Sequence, residues 1–269
     1  MELEQRISVL ITGAGSGIGR ALAVALAKKG TSISVLDIVE KNALETLEMV
    51  KQEYEKLQVE DKPSTICIRC DVAKPDEISS AFEQHIAVFK SLDICINCAG
   101  VAHTSDFIDD EQGLWRRLVD VNLNGTIECT RLEIKAMKSL GKPGCIINFA
   151  SALGLYPAPC APIYAASKAG VVMLTRSLVN LRSEGIRVNA VCPEFVDTPM
   201  GNLLPVTMID AADGFIPMEK VNNGVLELIE DESKAGCCLW ITQRHGVKYW
   251  PCSEEEQTYS DETICIFGS

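Results

Sequence analysis

Short apolar runs alternate with amphipathic stretches from one end of the chain to the other. "ISVLITG" reads as a strand, and "GIGRALAVALAKKG" behind it has helical periodicity that stops on a Gly. "SISVLDI" is strand-like, and "EKNALETLEMVKQEYEKL" is an amphipathic helix. "STICIRCD" predicts a strand, "PDEISSAFEQHIAVFK" a helix opened by Pro75, and "LDICINCAG" a strand. A long helix is predicted from Glu111 to Leu140, dipping at Asn122–Gly125. The strand "GCIINFAS", the helix "PIYAASKAGVVMLTRSLVNLRSE" and the strand "GIRVNAVC" follow. A Pro- and Met-containing loop runs from Pro193 to about Pro217, before the helix "EKVNNGVLELIED" and a last strand "GCCLWITQ". Strands alternating with helices predict βαβ units around a parallel sheet covered on both faces, an α/β fold.

No repeat, low-complexity segment or linker interrupts this pattern. One domain is therefore expected over residues 1–252, with an acidic tail over 253–269. The 269 residues are ordinary for one large α/β domain, and 47% apolar against 23% charged residues excludes a disordered chain. A net charge of −12 argues against a nucleic-acid partner and against an anionic membrane surface. The first residues, "MELEQRISVLITGAG", lack the basic and apolar regions of a signal peptide, and no apolar run is long enough to span a bilayer. A cytoplasmic location is expected, with an organelle such as the peroxisome left open.

The twelve cysteines include two Cys-x-x-Cys pairs, Cys67/Cys70 and Cys95/Cys98. Both lie in strand-like runs, where residues three apart face opposite sides, so they are read as reduced apolar thiols and no metal is expected.

Three features carry candidate chemistry. "TGAGSGIG" lies between the first strand and first helix, with Gly13, Gly17 and Gly19 positioned for a tight turn and for close approach to a pyrophosphate at a helix N-terminus. Asp37 ends the second strand, 18 residues after Gly19, where a carboxylate can take the ribose hydroxyls of adenosine. Ile38 follows it and Ser16 sits in the Gly-rich loop, so no basic neighbour in sequence invites a 2′-phosphate, and NAD is favoured over NADP. Finally, Tyr164 and Lys168 stand one helical turn apart with Ala165 and Ala166 between them. Alone they would read as a surface pair. With Ser151 at the end of the preceding strand they suit proton removal from an alcohol: Tyr as base, Lys as the cation that makes the phenol ionisable, Ser as a hydrogen-bonding partner of the reacting oxygen. His103 is read as a pocket-rim residue, His85 as an ordinary helix position and His245 as an ordinary tail position.

Six motifs in order resemble the short-chain dehydrogenase/reductase family: "TGAGSGIG", "CDV" at Cys70–Val72, "NCAG" at Asn97–Gly100, "VNLNG" at Val121–Gly125, Ser151, and "YAASK" at Tyr164–Lys168. Within the family the chain is most similar to NAD-dependent 15-hydroxyprostaglandin dehydrogenases. The resemblance implies a doubly wound (Rossmann) sheet of seven parallel strands with helices on both faces. It implies a homodimer formed through the helices carrying Asn122 and Tyr164. It assigns Tyr164 as acid/base, Lys168 as its partner and ribose clamp, Ser151 as orienter of the substrate oxygen, and Asn122 as holder of a water relay to Lys168. NAD would be held by Gly13, Ser16, Gly17, Ile18, Gly19, Asp37 and Ile38. Cys70, Asp71 and Val72 would border adenine, Asn97, Ala99 and Gly100 the ribose side, and Pro193, Val196 and Thr198 the nicotinamide end.

Two departures stand out. The family's usual Pro-Gly after the sixth strand is Pro193-Glu194 here, which sets a carboxylate near the nicotinamide end. The Gln that prostaglandin enzymes carry three residues before the Tyr is Ala161. The function expected is oxidation of a secondary alcohol on a mainly apolar small molecule to the ketone, with NAD as acceptor. A lid is expected over residues 199–217, with Leu203, Leu204, Val206, Met208 and Phe215 as its apolar content. Two other readings stay open: a carbonyl reductase running in reverse on the same residues, and a non-catalytic NAD-binding partner subunit.

Overall fold

The computed structural model describes residues 7–102, 107–108, 110 and 113–251. His103 and the acidic tail lie outside the described residues. Strands β1 (Ser8–Thr12), β2 (Ser32–Asp37), β3 (Thr65–Arg69), β4 (Ile94–Asn97), β5 (Gly144–Phe149), β6 (Ile186–Pro193) and β7 (Cys238–Thr242) form a parallel sheet. An eighth strand, β8 (Gly246–Trp250), pairs antiparallel with β7, giving the order β3-β2-β1-β4-β5-β6-β7-β8. The sequence pattern gave seven strands. The eighth comes from a hairpin turn in which Gly246 takes φ +75° and the Thr242 hydroxyl accepts the His245 N–H at 2.8 Å. His245 is thus a hairpin-turn residue, not part of a tail.

Helices α1 (Gly17–Lys28), α2 (Glu40–Lys56), α3 (Pro75–Phe89), α4 (Leu114–Val119), α5 (Thr126–Leu140), α6 (Pro162–Ser177), α7 (Val206–Ala211) and α8 (Met218–Glu230) connect the strands. Local chemistry sets their ends. α3 opens on Pro75 with Asp76 and Glu77 in its first turn, opposite the helix dipole, and stops at Lys90 in the left-handed region. The dip expected near Asn122 is one wide π-type turn over Asp120–Gly125, joining α4 to α5. α6 is shorter than its pattern: it tightens into a 3₁₀ segment at Val179–Glu184 and stops at Gly185. The stretch expected as a loop after β6 contains a 3₁₀ turn at Gly201–Leu203 and the short helix α7.

Strand alternation assigns the core to two layers. Val9, Ile11, Ile33 and Val35 pack with Leu22 and Leu26 of α1, Val50 of α2 and Val225 of α8. Leu10, Cys95 and Ile146 face the other way, against Ile78 and Phe82 of α3 and Met137 of α5. Each fully buried Leu or Ile contributes about 1.5–3 kcal/mol relative to exposure. The Cys-x-x-Cys pairs split across the layers: Cys67 and Cys98 pack on the first, Cys70 and Cys95 on the second. His85 departs from the ordinary exposed helix position. It is buried, its Nδ1 lies 2.8 Å from the Ser34 hydroxyl, and burial pushes its pKa down to about 4.

Candidate active site

β1 and β4 are sheet neighbours whose following helices leave on opposite faces, so a crevice opens at their carboxyl ends. There the structure has a cavity of about 590 Å³ that runs from Asp37 and Asp71 past Ser151 and Tyr164 to Leu204 and Met208.

One end is a phosphate cradle. Gly13 has φ +65°, and a Cβ there would lie 2.7 Å from the Ala99 backbone, so only glycine lets β1 turn this close to β4. Gly17 also takes a positive φ, +51°. α1 has no acidic residue in its first turn and its Ser16 side chain does not cap it, which suits a helix end facing an anion. Asp37 lies at the rim with its carboxylate fixed by two backbone donors, Gly15 N–H at 2.8 Å and Val39 N–H at 2.9 Å. One cation does come near. Arg20 packs behind the loop on the Gly15 carbonyl, donates to Thr46 at 3.0 Å, and pairs with Glu45 at 3.2 Å. It does not line the cleft. Asp71 and Val72 form the adjacent wall. Burial raises the Asp71 carboxyl, but the Arg117 guanidinium at 2.9 Å and the Ala73 N–H outweigh it and hold the pKa below the ordinary range.

These features fit a dinucleotide: a cradle that a Cβ would block, an uncapped helix end, and an oriented carboxylate one strand away. Ser16, Gly17, Ile18, Gly19, Ile38, Cys70, Ala99, Gly100, Pro193, Val196 and Thr198 all line the same cleft. Asn97 does not. Its side chain turns away, donating to Asn148 at 2.9 Å and to Glu133 at 3.0 Å, so the expectation of a ribose-side contact is corrected. It is a buried anchor beneath Cys98, Ala99 and Gly100, which do line the cleft.

Ser151, Tyr164 and Lys168 converge midway along the cleft. Ser151 follows β5; its hydroxyl accepts Leu153 N–H at 3.2 Å and lies 3.5 Å from the Pro193 carbonyl. Lys168 is 4% exposed, with its ammonium 5.9 Å from the Tyr164 ring centre and donating to the Phe149 carbonyl at 2.7 Å. Burial lowers the Lys168 pKa to about 8, against the opposing pull of the Cys98 and Cys192 thiols. Burial also holds the Tyr164 phenol above its ordinary value, with the neighbouring Ser151 hydroxyl drawing it down. The sequence reading had Lys168 setting that value. Here burial dominates, because the ammonium is held by a backbone carbonyl and sits over the ring, not on the hydroxyl.

Asn122 lies behind the cleft. Its amide is engaged at both ends by Val101, accepting the N–H at 2.8 Å and donating to the carbonyl at 2.9 Å. It is nonetheless close to Lys168: a Cβ on Gly100 would fall 3.4 Å from Asn122 Oδ1 and 3.6 Å from Lys168 Nζ.

The sequence reading missed Glu133. It is fully buried on α5, and burial raises its pKa to about 8 against its bond from Asn97. With Asn97, Asn148 and Thr175 it joins α5, β4, β5 and α6 beneath the cleft floor. The available signal was a pair of Asn residues, 97 and 148, in otherwise apolar strands; they stand in register. At the far end, Leu153, Cys160, Ala161, Met200, Leu204, Pro205 and Met208 form a mostly apolar wall with Glu194 beside them. Leu203 and Val206 of the expected lid point outward, 75% and 69% exposed, and Phe215 does not line the cleft.

Residues 8–206 match the model of the short chain dehydrogenase family. The chain is similar to a bovine (Bos taurus) 15-hydroxyprostaglandin dehydrogenase [NAD(+)], 32% identical over 259 residues, covering 89% of this chain and 92% of the relative. It is also 34% identical over 232 residues to a (3R)-3-hydroxyacyl-CoA dehydrogenase of Canis lupus familiaris, covering 83% of this chain and 89% of that one. Among solved structures, levodione reductase superposes with a TM-score of 0.81 at 26% identity, covering 89% of this chain and 97% of that one. A 3-ketoacyl-(acyl-carrier-protein) reductase from Brucella melitensis, complexed with NADH, superposes at 0.80 and 26% identity, covering 89% and 98%. Family match, relatives and cleft agree: this chain is an oxidoreductase of the short-chain dehydrogenase/reductase family.

Proposed function

We propose that the chain oxidises a secondary alcohol on a mainly apolar small molecule to the ketone, with NAD as acceptor. The observation that carries this reading is the convergence of Ser151, Tyr164 and Lys168 on a cleft whose one end is the Gly-rich cradle with Asp37 and whose other end is largely apolar. Gly13, Ser16, Gly17, Ile18 and Gly19 would hold the pyrophosphate, and Asp37 and Ile38 the adenosine ribose. Cys70, Asp71 and Val72 would border adenine. Ala99, Gly100, Tyr164 and Lys168 would meet the second ribose, and Pro193, Val196 and Thr198 the nicotinamide. When bound, the cofactor supplies the hydride acceptor.

The protein's own task is the proton. Tyr164 takes it from the substrate hydroxyl, and Ser151 holds that oxygen in line. Lys168 stabilises the phenolate electrostatically from one turn away. Asn122 acts by fixing Val101 and, across Gly100, by facing Lys168. Asp37 supports NAD over NADP because its carboxylate is oriented at the rim while Arg20 is engaged behind the loop. A homodimer through α4, α5 and α6 is supported by Leu114, Trp115, Ile127 and Met173, exposed on these helices. No helix among the described residues is long and apolar enough to cross a membrane.

The test is turnover of a panel of secondary alcohols with NAD, followed by NADH absorbance, in the wild type and in Tyr164→Phe. Oxidation by the wild type and its loss in the variant support the reading. Equal rates in both remove Tyr164 from the chemistry, and no turnover by either removes the activity.

A further inference from the structure

Glu194 is the residue that the dehydrogenase reading leaves without a task. It follows Pro193 at the end of β6 and lines the cleft beside the apolar wall. Its backbone N–H is fixed by the Ile241 carbonyl at 2.9 Å, so its place in the wall is set by the sheet edge. Two basic side chains lie near it, His245 and Arg244, and Arg244 also holds Asp213 at 2.7 and 3.0 Å and the Ala211 carbonyl at 2.8 Å. Among the described residues Glu194 has no salt bridge. The other charged cleft residues are distributed differently. Asp37, Asp71 and Arg117 stand at the dinucleotide end, and Lys168 is buried under Tyr164. The substrate end therefore has one carboxylate, with the Gln243 backbone N–H, His245 and the Asp213-paired Arg244 beside it, and otherwise apolar walls. The Ser151 hydroxyl lies 3.5 Å from the Pro193 carbonyl, one residue before Glu194, and Ser151 and Glu194 line the same cleft.

Resting on the dehydrogenase reading, we propose that Glu194 is a specificity-determining residue that selects alcohols with a neutral or cationic end near the reacting carbon and excludes those with a carboxylate there. An anion brought within about 6 Å of a fixed carboxylate is disfavoured roughly a hundredfold at an effective dielectric of about 20, reduced to about tenfold for a half-exposed group. A neutral apolar alcohol meets no such term. An ammonium gains by the same interaction.

The test uses secondary alcohols of one carbon skeleton, ending in a methyl ester, a carboxylate or an ammonium two carbons from the carbinol. A longer carboxylate whose charge reaches solvent serves as distance control. kcat/KM is measured for wild type, Glu194→Gln and Glu194→Gly, with NAD affinity and melting temperature alongside. The expected wild-type preference is ester over the short carboxylate by about tenfold or more, shrinking for the long one. Glu194→Gln should raise kcat/KM for the short carboxylate about tenfold, leave the ester within about twofold, and leave NAD affinity unchanged. The wild-type comparison needs no variant, so misfolding of either variant does not shield the proposal. If alcohols are oxidised but the short carboxylate is as good as the ester, the charge selection is wrong and the dehydrogenase reading stands. If Glu194→Gln changes NAD affinity and not the ester-to-carboxylate ratio, the carboxylate serves the dinucleotide and the proposal is overturned. If the wild type oxidises no alcohol, both readings fail together.

Discussion

Replacing Asp37 by Asn separates charge from geometry at the adenosine end. The Asn keeps a carbonyl to accept Gly15 N–H, the bond that now runs to the carboxylate at 2.8 Å, while the Val39 N–H, now 2.9 Å from the other carboxylate oxygen, loses its acceptor with the charge. What disappears is a negative charge at the site where NADP would add a phosphate of charge near −2. At an assumed separation of roughly 5 Å and the dielectric of bulk water, about 80, that repulsion is about 1.7 kcal/mol before screening by salt. It corresponds to roughly fifteenfold in affinity. The wild type should therefore bind NADH about fifteenfold more tightly than NADPH at low salt, and the variant should bring the ratio to within about threefold. The assay is cofactor fluorescence titration with both nucleotides at low and high salt. Because the rim is solvated, the wild-type discrimination should shrink as salt rises. Arg20 does not confuse the result, since it is tied to Glu45 and the Gly15 carbonyl in both proteins. Equal affinities in the wild type, or an unchanged ratio in the variant, would refute the reasoning.

Tyr164→Phe should lower kcat by ~10²–10⁴-fold with melting temperature and NAD affinity preserved, and Lys168→Met should shift the rising limb of kcat against pH upward because the phenol loses its cation. A stability loss with activity per folded molecule retained would make the pair structural. Glu133 has a folded pKa of about 8, above its unfolded value, so its contribution is fully present below about pH 4.5 and is lost as pH rises through 8. Glu133→Gln should remove that slope in urea unfolding between pH 5 and 8, by roughly a few kcal/mol across the range; identical pH profiles would show that Glu133 titrates normally. Leu204→Asp should raise KM for apolar alcohols while NAD affinity stays within about twofold; an unchanged KM takes Leu204 out of the substrate wall.

The alternation of apolar runs and helical stretches settles much of this molecule by itself. βαβ units joined by short connections have one favoured hand, so the parallel sheet, its two core layers and the crevice at its carboxyl ends follow from periodicity. The Gly-rich loop, Asp37, Ser151, Tyr164 and Lys168 were legible for a related reason. Each is tied to a strand end or to one helical turn, and such local geometry is encoded in spacing. What spacing cannot encode is where a side chain turns when two distant segments meet. Asn97 sits in a cleft motif, yet it faces inward because Asn148 stands opposite it on β5 and Glu133 meets it from α5. Asn122 is drawn to Val101, and His85 is buried because Ser34 waits on the neighbouring strand. The same holds for charge. Composition reports a net −12, but the fold decides that Arg20 answers Glu45, that Arg117 answers Asp71, and that Glu194 is left at the substrate wall. Pairing and burial are properties of three-dimensional neighbours, and they set both the pKa values and the electrostatics of the cleft.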